Sequence, residues 1–299
     1  MSFGERILGT IFLTDRSLLN MERVMIFRTL IWVALAVALL VGSVQSGLQQ
    51  LQTVPIILAA EVFEGQKVAA PEPVATPAAA AAHVHADGAA HDHGADAEAW
   101  APADGVERHF WTWVANVLHA FSMALLVLAV MAVCQWRGSA LRAVPLAAWV
   151  AAAGWLSFHF WPSLGLHAEI PGMDAARLGS RQGWWVLAAG GAALACASVA
   201  LMRSPLRWAA AVACLALPFV VGAPHIVADP LAGFTGEAQA ALRELGHQFI
   251  WATTWLSLSF WVSMGAVAGL AFQRWLSPAM AALLQRPDTT RAPAMETPR

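Results

Sequence analysis

The segment AAAHVHADGAAHDHGADAEAW, residues 80 to 100, carries two histidine pairs, His83 with His85 and His91 with His93, interleaved with Asp87, Asp92, Asp96 and Glu98. Neutral imidazole is a ligand for cobalt, nickel, copper and zinc, and affinity at such sites rises along the Irving–Williams order. Between His83 and Glu98 only Val84 is a sizeable apolar residue. Such a stretch cannot bury enough surface to fold, so it reads as a disordered tract that captures several metals without choosing among them. A solvated low-complexity linker is the competing reading.

Further donors lie elsewhere. The stretch FHFWPSLGLHAEIPGMDAARLGSRQGWW, residues 158 to 185, offers His159, His167, Glu169 and Asp174, with Arg177 and Arg181 four apart to hold the acids. LPFVVGAPHIVADP adds His225 and Asp229, and His247 opens the last apolar run. Asn116, His119 and Met123 share one helical face inside an apolar run, where an ionisable group is costly unless it lines a water-filled path. Thr253, Thr254, Ser257, Ser259 and Ser263 could pack helices or line the same path. Cys134, Cys196 and Cys214 have no CxxC spacing and read as small apolar fillers.

The elements that must position these donors are membrane helices. Of 299 residues, 59% are hydrophobic, only 12% are charged, and Lys67 is the single lysine. Charge falls in short clusters between apolar runs long enough to cross a hydrocarbon layer about 30 Å thick. Six runs qualify, roughly 25–46, 110–134, 144–164, 184–202, 206–223 and 248–272. The expected fold is therefore all-α, a polytopic helical bundle. Its parts are a cytoplasmic arm over 1–23, a first transmembrane helix with outer extension over 24–63, a Pro/Ala/His-rich periplasmic loop over 64–108, a five-helix bundle over 109–275 and a cytoplasmic tail over 276–299.

Sorting the 17 basic residues by side puts twelve on the side of both termini and five on the other, so the termini are expected in the cytoplasm and the histidine tract outside. A cleaved secretory signal ending near SVQSG would leave the tract outside as well. Pro162 and Pro218 are expected to bend two spans near the same side. Tryptophans near span ends, Trp161, Trp184 and Trp185 among them, read as interfacial anchors.

GLQQLQTVPIILAAEVFE, the His/Asp tract, DAEAWAPADGVER, PSLGLHAEIPGMDAARLGSRQGWW and GAPH together resemble the CbtA family of probable cobalt transporter subunits, over about residues 24 to 275. The resemblance implies uptake of cobalt for cobalamin synthesis, in a bacterial inner membrane, beside a small single-span CbtB-like partner with terminal histidines. The family's features fall on Glu61, Glu64, the tract from His83 to His93, Glu169, Arg181, Gln182 and His225. The chain departs from the family pattern at His167 and Ala168, where prolines are expected, in its sparse tract and in its added N-terminal arm.

The expected function is a cobalt-uptake permease subunit, not an enzyme, with His83, His85, His91, His93, His119, His159, His167, Glu169, His225 and His247 as the metal-handling set. Cobalt is the transported substrate, and no organic cofactor or nucleic-acid partner is expected; a homo-oligomer is left open. No GxxxxGK[ST] loop occurs in the chain, so ATP could act only through another subunit. Two alternatives remain: an accessory or scaffold subunit of a membrane complex, and a haem- or metal-binding redox protein using His119 with His159 or His247.

Overall fold

The computed structural model describes residues 3–67, 102–103 and 105–284, and every regular element among them is helical. The histidine tract, with His83, His85, His91 and His93, lies outside the described residues. Helix α1 runs from Phe3 to Gln52, passing without a break through the expected junction at 23–24. It stops at Thr53 because Pro55 has no N–H with which to continue the ladder, and α2 (Val54–Glu61) restarts from that proline. Helix α3 spans Val106–Trp136 and α4 spans Ala143–Trp155. A π-turn, Leu156–Phe160, and the single turn α5 (Trp161–Ser163) prolong α4 into one span. The chain then forms α6 (Leu178–Leu201), α7 (Leu206–Val221) and α8 (Gly236–Ala271), and a second π-turn joins α8 to α9 (Ser277–Leu284).

Five of these helical stretches are long and apolar enough to cross a membrane. The sixth expected span corresponds to α7, which is apolar but has only 16 residues. At 1.5 Å per residue that is about 24 Å, short of the ~30 Å hydrocarbon layer. Helix α7 with the loop that follows still returns the chain to the end where α8 begins, since Asp174 N–H donates to the Pro230 carbonyl at 2.7 Å and Arg243 of α8 pairs with Asp229 at 2.9 Å.

Helices α1, α3, α4 and α8 enclose the main core. Val33, Ala34, Val37, Ala38 and Val41 of α1 face Ala120, Ala124, Val127, Leu128 and Met131 of α3, both sets at the three- and four-residue steps of one helical face. Lipid tails are as apolar as leucine, so helices in a bilayer associate by close contact of small residues. Gly265 and Gly269 of α8 accordingly sit against Val144, Ala147 and Ala151 of α4, and Gly42 of α1 against Val117 of α3. Large apolar side chains such as Trp32, Leu40, Trp149 and Val212 point outward, more apolar surface than a water-soluble chain exposes.

A second, smaller core caps one end of the bundle, built from Ala60, Ile170, Leu231, Phe234 and Leu242. Among the described residues four ion pairs tie this cap together: Lys67–Asp174 and Arg181–Glu169, each at 2.6 Å, and Arg108–Glu61 and Arg243–Asp229, each at 2.9 Å. Arg28, Arg137, Arg142, Arg203, Arg207 and Arg274 lie toward the opposite end, as the alternating run of the helices requires.

Candidate functional site

Beneath the cap, between α1, α3, the π-turn, α6 and α8, lies a cavity of about 420 Å³. Its donor-bearing lining comprises Gln45 from α1, His119 and the Met123 thioether from α3, His159 from the π-turn, and Thr253 and Ser257 from α8. Phe158, Trp185, Leu256, Phe260 and Trp261 complete the wall.

The π-turn explains how His159 reaches the cavity. Pro162 lacks the N–H that would close an α-turn onto the Phe158 carbonyl, and the Trp161 N–H instead reaches back to Leu156. Such widened turns re-aim side chains and recur at functional sites. Here two consecutive residues, Phe158 and His159, both line the cavity. The Nε2 of His159 lies 3.4 Å from the Thr254 hydroxyl, whose own proton is donated to the Ile250 carbonyl at 2.8 Å. In the tautomer in which that hydroxyl accepts, the ring proton sits on Nε2 and the lone pair remains on Nδ1. The ring of His119 packs on Phe260 with centroids 5.1 Å apart.

Gln45 is buried, and its Oε1 has no hydrogen-bond partner among the described residues. A buried carbonyl in that state carries an uncompensated desolvation cost, typically 1–3 kcal/mol, unless a ligand or water serves it. One turn further toward the cap, Gln49 accepts a 2.7 Å bond from Asn116, and Thr53 follows at the next turn, itself buried. Gln45, Gln49 and Thr53 thus form a polar stripe at four-residue spacing between the cap and the cavity.

Of the residues picked out by sequence, His119 and His159 meet at this cavity. His167, His225 and His247 are exposed at the cap end, where His225 Nδ1 contacts the Ala223 carbonyl at 2.9 Å. Glu169 is engaged by Arg181, as the spacing of the loop arginines allowed. Among the described residues no three His, Cys, Asp or Glu side chains gather as a metal site. Gln45 escaped sequence reasoning, although the four-residue spacing of Gln45, Gln49 and Thr53 at the end of an apolar run was visible.

The anchoring role expected for two tryptophans does not hold. Trp184 is 4% exposed and donates its indole N–H to the Pro218 carbonyl at 2.8 Å; Trp161 donates to the Leu215 carbonyl at 3.1 Å. Both indoles serve backbone carbonyls of α7 beside its internal proline rather than lipid headgroups. Trp185 lines the cavity.

The family model described as the probable cobalt transporter subunit (CbtA) matches residues 27–273. No curated protein and no solved structure is significantly similar to the chain. The family match covers α1 from Phe27, the cap and every cavity residue, and the chain belongs to the CbtA family of probable cobalt transporter subunits.

Proposed function

We propose that the chain is the membrane-embedded permease subunit of a divalent metal uptake system whose substrate is cobalt. The observation that carries this reading is the meeting of His119 and His159, from separate spans, on one cavity that also holds Gln45 with an orphaned carbonyl. Ionisable side chains at membrane depth mark ion routes, because elsewhere the bilayer penalises them.

In this reading the ion-paired cap faces the periplasm of a bacterial inner membrane, and the arginine-rich end and both termini face the cytoplasm. His83, His85, His91 and His93 gather the metal outside, and the exposed imidazoles of His167, His225 and His247 relay it across the cap. Glu61, Glu169, Asp174 and Asp229 already neutralise cationic side chains, so imidazoles rather than carboxylates do the capturing. Glu169 acts by holding its loop to Arg181. The membrane potential favours inward movement of a dication by about 2.3 kcal/mol per charge per 100 mV. A CbtB-like single-span subunit with terminal histidines is the partner.

Radioactive cobalt uptake into cells expressing the chain with its single-span partner tests the reading. His119→Ala and His159→Ala should each lower uptake by about tenfold or more. Deletion of residues 80–100 should lower uptake at scarce cobalt and spare it at saturating cobalt. Unchanged uptake in the double histidine variant would overturn the route and favour an accessory subunit.

A further inference from the structure

Gln45 is buried, lines the cavity with His119 and His159, and has an amide oxygen that no group among the described residues serves. None of the residues lining the cavity is a carboxylate or a thiol. We infer that Gln45 is a third donor to the ion in this cavity, and that the site is an uncharged cage selecting borderline first-row dications while letting them go. The inference rests on the transport reading above and specifies its site.

Two imidazole nitrogens suit cobalt, nickel, copper and zinc, whereas magnesium and calcium require carboxylate and water oxygens that the lining lacks. Amide carbonyl oxygen completes a neutral set, with the Met123 thioether and the Ser257 hydroxyl on the same wall. A dication held only by dipoles keeps its full charge uncompensated in a low-dielectric site. Binding is therefore weak enough for the ion to leave, which conduction demands of any intermediate site. The orphaned Oε1 is the counterpart on the protein side: its cost is relieved while the ion is present and returns when the ion departs.

The test is equilibrium dialysis of the purified full chain, in detergent and with His83, His85, His91 and His93 replaced by alanine so that the tract takes no metal, against Co²⁺ and against Mg²⁺, with release timed by transfer to a chelator. Wild type should bind Co²⁺ weakly and release it quickly, and should not bind Mg²⁺ in the cavity. Gln45→Leu should lose about tenfold in Co²⁺ affinity, and Gln45→Glu should gain about tenfold while releasing the ion correspondingly slowly. Gln45→Asn, which keeps the amide on a shorter arm, checks that a loss reflects the donor rather than misfolding, since it should retain the helical content of wild type and bind between wild type and Gln45→Leu. Wild-type affinity and release in both Gln45→Leu and Gln45→Glu, with binding lost in His119→Ala, would overturn the role of Gln45 and leave the histidine route standing. Binding unaffected by all of these variants would overturn both.

Discussion

Gly191 of α6 rests directly on the backbone carbonyl of Cys214 in α7, so that a methyl group at position 191 would lie 2.5 Å from that oxygen. The carbonyl is available because the residue four positions on is Pro218, which has no N–H to return the α-helical bond. Its neighbour Gly190 meets nothing within 4 Å. Adjacent glycines of one helix should therefore respond in opposite directions. Gly191→Ala should destabilise by about 1–3 kcal/mol through overpacking against rigid backbone. Gly190→Ala should be neutral or stabilising by up to about 1 kcal/mol through lower backbone entropy in the unfolded chain. Thermal unfolding of the two variants in the same detergent checks this, and equal shifts would refute the α6–α7 contact.

A related pair concerns Trp184, whose ring lies so close to Gly165 that any side chain there would overlap it. Trp184→Phe removes the indole donor to Pro218, but that carbonyl keeps its bond from the Gly222 N–H at 3.0 Å. The expected loss is that of one net hydrogen bond, about 1 kcal/mol, together with about 1–3 kcal/mol for the cavity left by the ring atoms that touched Gly165. Gly165→Ala must displace the ring itself, at about 1–3 kcal/mol, a cost that should largely vanish in the Trp184→Phe background. Non-additive melting temperatures of the two single variants and the double variant are the readout.

Much of this architecture was legible in the sequence because a bilayer imposes simple rules. Apolar length marks the spans, and buried positions such as 33, 34, 37, 38 and 41 follow the helical period. The site was legible only in part. His119 and His159 stand out as imidazoles in apolar runs, yet their meeting depends on how α3 and α4 pack around α8, and on a π-turn that no propensity announces. Gln45 looks like an ordinary polar residue at a helix end; only tertiary packing reveals that its oxygen is buried without a partner among the described residues. Glu169, Asp174 and Asp229 stood out as metal donors, and each is engaged by a cationic side chain, Arg181, Lys67 and Arg243 respectively.

Lys67 precedes the segment that carries the histidine tract, and it is fixed by Asp174 at 2.6 Å and by the Gly172 carbonyl at 3.0 Å. Its side chain is 29% exposed and that of Asp174 50%, so solvent screens most of the Coulomb energy. Lys67→Met should cost less than about 1 kcal/mol of stability, and the difference should shrink further as salt is raised. A loss of several kcal/mol, or one indifferent to salt, would mean that this contact organises the cap rather than merely pinning one end of the segment.

The contact between Thr254 and His159 makes the sharpest demand on the site. Thr254→Val keeps the side-chain volume but removes the acceptor for the Nε2–H, so the ring loses what fixes its tautomer and its orientation. Partners of this kind are worth about 10- to 100-fold in metal affinity. Stability should change little, because the hydroxyl otherwise bonds only the carbonyl of its own preceding turn. Cobalt affinity measured by equilibrium dialysis, with His83, His85, His91 and His93 replaced by alanine, should fall at least about tenfold in Thr254→Val and be retained in Thr254→Ser, which preserves the oxygen. If the valine variant binds as wild type does, His159 reaches the ion without help from α8, and the ring must present its nitrogen through the π-turn alone.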